Sequence, residues 1–153
     1  MTSSQETFHI LLADDDADDR QFFSEAIHEI KMEHSLKLFN DGAALMEYLD
    51  DPENEDMTTP HILFLDLNMP FKNGMDCLRE IRQNPKYNNL SIAIYSTSSS
   101  EKDIEETFIG GANIYIKKPN DFGTLKKVIK DVLNMNWQFH SSGMNLETFL
   151  FSI

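Results

Sequence analysis

The sequence predicts an α/β fold: a doubly wound, five-stranded parallel sheet in the order 2-1-3-4-5. Three observations carry that expectation. Short apolar runs alternate with longer amphipathic segments through most of the chain. The third run, His61 to Leu65 (HILFL), is the most apolar, as expected for a central strand buried on both faces. No internal repeat or low-complexity segment competes with the alternation. Strict strand–helix alternation implies a parallel sheet with helices on both faces, and right-handed crossovers leave few topologies. The common five-stranded order makes strands 1 and 3 neighbours at a switch point, with ligands bound at the carboxyl ends of the strands.

Each element has its own signal. Phe8 to Ala13 (FHILLA) is a strand that ends abruptly in acids. Ala17 to Met32 carries Phe22, Phe23, Ala26, Ile27 and Ile30 at helical spacing. Leu36 to Phe39 is the second strand, and Asp41 to Asp50 a helix with Leu45, Met46 and Leu49 as its stripe. Asp51 to Pro60 is polar, holds two prolines and reads as a loop. After the strand at His61 to Leu65, Gly74 precedes a helix from Met75 to Gln83, and Ile92 to Tyr95 is the fourth strand. Ser100 caps the next helix, with Asp103 completing an imperfect capping box. Gly110-Gly111 stops that helix. Asn113 to Ile116 is the fifth strand, and Thr124 to Leu133 the fifth helix. The architecture is of the flavodoxin-like (βα)5 type.

The chain then divides into a domain over residues 1–135 and an apolar arm over 136–153, with no separate output domain expected. Leu146, Phe149, Leu150 and Ile153 fall on one face of a short helix. The arm is expected to pack on its own domain; the sharper alternatives are a second copy, giving a homodimer, or a partner kinase.

Composition excludes several classes. The 153 residues suit one domain with a proper core. A single cysteine, Cys77, rules out an intrachain disulfide and argues strongly against a Cys-based zinc site. No apolar run approaches 18 residues, so no membrane span is expected. The first residues lack a secretory pattern, which makes the cytoplasm the expected compartment. With 13 basic and 26 acidic residues the net charge is −13, and a polyphosphate surface would repel the chain, so no nucleic-acid partner is expected.

The residues that follow the strands carry the chemistry. Asp14-Asp15-Asp16 follows strand 1, Asp66-Leu67-Asn68 strand 3, Ser96-Thr97 strand 4 and Lys118-Pro119 strand 5. Neighbouring strands lie about 5 Å apart, which gathers Asp14, Asp15 and Asp66 around one small volume. Carboxylates that close repel, so their pKa values rise or a cation joins them. Hard oxygen ligands with open positions suit Mg²⁺ or Mn²⁺. Ser96 is one strand away from Asp66. Lys118 is two strands away, about 10 Å, which a lysine side chain nearly spans. This set suits phosphoryl transfer to a carboxylate: Asp66 as in-line nucleophile, with the cation, Lys118 and Ser96 neutralising the phosphoryl oxygens.

Taken together, these segments resemble a two-component response regulator receiver domain. The matching stretches are Leu11 to Asp16, Leu65 to Pro70 with Gly74, Tyr95-Ser96-Thr97, and Gly111 to Tyr115 with Lys117-Lys118-Pro119. The resemblance covers roughly residues 6–135 and is of the stand-alone, chemotaxis-regulator-like kind. It implies that Asp66 is the phosphoacceptor, that Asp15 binds metal directly and Asp14 through water, and that Asn68 offers its backbone carbonyl. Lys118, Ser96 and Thr97 would stabilise the phosphoryl group. Ser96 and Tyr115 would be the switch pair, the ring moving inward as the hydroxyl turns to phosphate. The bond before Pro119 would be cis. Ser96 replaces the commoner Thr, and Thr97 stands where Ala is frequent. Asn68 to Gly74, with Asn84-Pro85, resembles the receivers paired with phytochrome-type kinases.

The resemblance implies a phosphorelay role, with a sensor histidine kinase or His phosphotransfer protein as donor and output through contacts with a protein target. The alternative is a pseudo-receiver that binds partners without phosphorylation. A calcium loop from Asp14 to Glu25 fails because Asp19 stands where glycine is required. A phosphatase with Asp14 as nucleophile would need a substrate cap.

Overall fold

In the computed structural model, which describes residues 7–52, 60–135 and 149–151, the chain alternates as the apolar pattern requires. The elements are β1 (Phe8–Ala13), α1 (Ala17–His28), β2 (His34–Phe39), α2 (Gly42–Asp50), β3 (Ile62–Leu65), α3 (Gly74–Gln83), β4 (Ser91–Ser96), α4 (Glu101–Ile109), β5 (Ile114–Lys117) and α5 (Phe122–Leu133), then β6 (Leu150–Phe151). The sheet order is β2-β1-β3-β4-β5-β6, all pairs parallel. The expected 2-1-3-4-5 order is present, with β6 added at the β5 edge.

Alternation along the strands feeds two cores. Leu63 and Leu65 of β3 join Leu45, Leu78 and Ile81 under α2 and α3. Ile62 and Phe64 face the other way and pack with Phe23 and Ile27 of α1 and Val128 and Val132 of α5. All four residues of β3 are buried, as its unbroken apolar run predicts. Side-chain caps set the helix starts: Asp16, Asp41, Asn73, Ser100 and Asp121 each accept a backbone N–H of the first turn, an arrangement that stabilises a helix by about 1 kcal/mol.

Three expectations change. The first helix stops at His28 rather than Met32, because Ile30 N–H turns back to the Ile27 carbonyl and Met32 N–H to that of Ile30. The capping box at Ser100 is only half formed: Ser100 Oγ accepts from Asp103 N–H at 3.0 Å, but the Asp103 carboxylate accepts from Ser98 Oγ at 2.7 Å. The expected helical face of the arm is replaced at Leu150 and Phe151 by strand, paired with Tyr115 and Ile116. The open edge of β5 offers backbone partners that outweigh the local spacing. Phe149 is fully buried in the core of the same domain, the first of the expected placements for the arm. Leu146 and Ile153 lie outside the described residues.

Candidate functional site

Register places the site. Ala13 is level with Leu65, and Ser96 with Lys117. The ladders continue one step further: Asp66 N–H donates to the Ala13 carbonyl at 3.0 Å, and Lys118 N–H to that of Ser96 at 2.8 Å. The ends of β1, β3, β4 and β5 therefore deliver Asp14, Asp66, Ser96 and Lys118 to the same rim. Asp14, Asp15 and Asp66 present carboxylate oxygens within 4.8 Å of one another. Asp14 and Asp66 are buried, and Asp15 is exposed.

Lys118 reaches into this group from β5. Its Nζ lies 2.8 Å from Asp14, 2.9 Å from Asp19 and 3.5 Å from Asp66. Asp19 is the member that the sequence does not single out, since an acid in the first turn of a helix is explained equally well by the helix dipole. It sits in the first turn of α1, three residues beyond the cap Asp16, and the helix start aims it back at the rim. Arg20 adds a bond from its guanidinium to the Asp14 carbonyl at 2.8 Å.

Three carboxylates, those of Asp14, Asp19 and Asp66, thus lie within 3.5 Å of one ammonium, and Asp15 adds a fourth acid to the rim. Burial pushes the Asp66 carboxyl up to about 6; Lys118 opposes this, and Asp14 and Asp15 add to it. Burial also raises Asp14, against the bonds from Lys118 and Asp16 N–H. Burial alone would lower the Lys118 ammonium, yet it rises above its ordinary value because Asp14 and Asp19 bond it and Asp66 attracts it. A cluster this short of positive charge fits a hard divalent cation, Mg²⁺ or Mn²⁺, held by carboxylate oxygen.

The remaining residues frame the acceptor. Asn68 N–H donates to Asp66 Oδ1 at 3.3 Å. Gly74 packs against the same loop: a Cβ there would lie 2.1 Å from the Asp66 carbonyl oxygen and 2.8 Å from Leu67 Cα. Backbone cannot yield as a flexible side chain does, so Gly74→Ala is expected to destabilise the fold by about 1–3 kcal/mol and to weaken Mg²⁺ binding. Urea denaturation and a Mg²⁺ titration check both, and an unchanged Mg²⁺ affinity would show that the Asp66 loop does not depend on this contact.

Ser96 is fully buried, and its Oγ accepts from Ser98 N–H at 3.1 Å. Thr97 is exposed. Tyr115 is fully buried with its ring inward, and its hydroxyl donates to the Ser98 carbonyl at 2.9 Å. Ser98, not singled out in the sequence, thereby joins the two through its own backbone. One implied feature is corrected: the Lys118–Pro119 bond is trans, since no described peptide bond is cis. Trans is the lower-energy form of X–Pro by about 0.5–1 kcal/mol, and Lys118 reaches three carboxylates from it.

Comparison with known proteins gives concordant matches. A family model for the response regulator receiver domain matches residues 10–130. Response regulator Rcp1 of Synechocystis sp. is 31% identical over 124 residues, spanning 80% of this chain and 84% of that protein. The crystal structure of the Mn²⁺-bound form of Rcp1 superposes with a TM-score of 0.73 at 30% identity, covering 82% of this chain and 91% of that one. The phosphorylated cyanobacterial phytochrome response regulator RcpA gives a TM-score of 0.76 at 29% identity, covering 83% and 91%.

Proposed function

Because this chain belongs to the response regulator receiver domain family, we propose that it accepts a phosphoryl group on Asp66 from a sensor histidine kinase or a His phosphotransfer protein, and signals through protein contacts. The observation that carries this reading is the convergence of Asp14, Asp15 and Asp66 with Lys118 at one rim of the sheet. Likeness to Rcp1 and RcpA favours a phytochrome-type kinase as donor. No described helix is long and apolar enough to cross a membrane.

With its pKa near 6, the Asp66 carboxylate is mostly ionised at neutral pH and able to attack. An Asp66 oxygen forms a bond to phosphorus as the phosphorus–nitrogen bond of the donor phosphohistidine breaks, and the electron pair leaves with the imidazole, which takes up a proton. The product is an acyl phosphate. Asp15, Asp66 and the Asn68 backbone carbonyl would hold Mg²⁺ or Mn²⁺, with Asp14 acting through water. When bound, the cation neutralises charge on the phosphoryl oxygens. Lys118 is close enough to Asp66 to meet a second phosphoryl oxygen, and Ser96, with Thr97 beside it, would donate a hydroxyl to the third. The chain turns over nothing but its own phosphoryl group, so it is not an enzyme on other substrates.

The test is labelling with acetyl phosphate in Mg²⁺, read by intact mass. One phosphoryl group is expected on the wild type, none with the cation chelated, and none on Asp66→Asn. A label that survives Asp66→Asn would overturn the reading. Asp66→Asn also removes a buried anion, so its melting temperature without divalent cation is expected to exceed that of the wild type, while Mg²⁺ should raise that of the wild type alone.

A further inference from the structure

The described part of the arm lies against Phe108 of α4 and Tyr115 of β5. The Phe149 ring sits 5.2 Å from the ring of Phe108 on α4 and 6.2 Å from that of Tyr115, edge-on at 64°. Phe149 and Tyr115 are both 0% exposed. The next two residues pair in parallel with β5, Leu150 level with Tyr115 itself. The arm thus grips Tyr115 twice, by ring contact and through the backbone. Phe149 packs directly against the Tyr115 ring.

Inward of that contact the path is short. Tyr115 hydroxyl bonds the Ser98 carbonyl, and Ser98 N–H bonds Ser96 Oγ. Ser98 Oγ also donates to Asp103 of α4. The arm, Tyr115, the loop before α4 and Ser96 therefore form one contiguous packed and hydrogen-bonded unit. Leu150 keeps 42% exposure and β6 is two residues long, so the described arm is held by one short pairing and the buried Phe149 ring.

We propose that the arm is a regulatory clamp: docking of Phe149 and β6 and loading of Asp66 with a phosphoryl group each favour the other, through the inward position of Tyr115. This inference rests on Asp66 being the phosphoacceptor. Coupling between two sites is reciprocal, so loading should tighten the arm, and loosening the arm should weaken loading by the same factor. The arm would then report the state of Asp66, presenting or withdrawing the Phe149-Leu150-Phe151 segment.

The experiment uses the full chain with Mg²⁺ and beryllofluoride as the phosphoryl stand-in. Binding is followed by ¹⁹F NMR, and arm docking by hydrogen exchange of the peptide covering residues 149–153. In the wild type, saturating beryllofluoride should slow exchange of that peptide about fivefold or more, the low end of typical coupling, with no effect in Asp66→Asn. Phe149→Ala should weaken beryllofluoride about fivefold or more, and Phe149→Leu, which keeps apolar bulk, by less. Bound fluoride in the wild type with arm exchange unchanged, or an affinity for Phe149→Ala within twofold of wild type, would overturn the clamp and leave the acceptor reading intact. No bound fluoride in the wild type would overturn both. The exchange measurement needs no variant, so it stands even if Phe149→Ala does not fold.

Discussion

Replacing Lys118 by Met is expected to lower the stability of the metal-free protein by about 3 kcal/mol at pH 7.5, the range for breaking a buried ion pair from one side. The Lys118 side chain is 9% exposed, and its partners Asp14 and Asp66 are 0% and 6% exposed, so water screens them little. Met retains the length of the stem, which isolates the loss of charge. The deficit should depend on pH, with a definite sign. In the wild type the folded-state pKa of Asp66 is raised from 3.8 to about 6, so between those values the folded chain binds more protons than the unfolded one. Stability therefore falls as pH rises through that window, by no more than about 3 kcal/mol at about 1.4 kcal/mol per unit. Lys118 opposes this rise more than any other group, so its removal moves both buried acids further up. At pH 5.5 Asp66 is then largely protonated in the variant, and its protonation offsets part of the deficit seen at pH 7.5. Urea denaturation in chelator at the two pH values measures this directly. An equal deficit at both would mean that packing, not charge, accounts for the loss. Added Mg²⁺ should stabilise the variant more than the wild type, because the cation replaces the missing charge, whereas phosphoryl labelling should fall by about 10²-fold, the usual effect of losing one preorganised partner of the transferring group.

The same cluster shows what the sequence could and could not convey. Asp14 and Asp66 were legible because each follows an apolar run without a break, and a parallel register aligns the ends of such runs. Ser96 follows by the same rule, and Lys118 does so with one residue, Lys117, between it and the apolar run. Asp19 was not legible as a partner of Lys118. An acid in the first turn is explained equally well by the helix dipole, and only the rotation of α1 over the sheet decides that this one faces inward. Ser98 escaped notice because it acts through backbone atoms, which every residue carries. At the arm, the spacing of Phe149 and Leu150 fitted a helix, but local spacing cannot register an open strand edge that was itself only inferred. Phe149 is buried all the same, because apolar surface is driven from water whichever secondary structure presents it.

Arg82→Ala is expected to cost about 3 kcal/mol or more, and to do so without touching the rim where Asp66 lies. The Arg82 guanidinium donates to the Gly111 carbonyl at 2.8 Å, the Tyr87 carbonyl at 3.0 Å, the Leu90 carbonyl at 2.8 Å and Asn113 Oδ1 at 2.8 Å. None of these is a carboxylate, and burial lowers the arginine's pKa, so the group is retained for its geometry. It ties the last turn of α3 to the approach to β4 and to the turn before β5. Asn113 Oδ1 extends the tie by also accepting Ile92 N–H at 2.7 Å. The turn is shaped around the side chain: Gly111 has φ +101°, and a Cβ there would lie 3.0 Å from Arg82 Cγ. Bonds to a charged donor contribute about 1.5–3 kcal/mol each, and truncation leaves the acceptors to find water or go unpaired. Lysine has no planar fork and meets fewer of these oxygens, so Arg82→Lys should recover less than half of the loss. Urea midpoints for the three proteins measure this, and a loss below about 1 kcal/mol for Arg82→Ala would show that water replaces the guanidinium without penalty. Mass labelling under native conditions supplies the contrast with Lys118→Met: the Arg82 variant, where folded, should still carry one phosphoryl group, because its damage lies at the far end of β4 and β5, away from the residues that meet the phosphoryl oxygens.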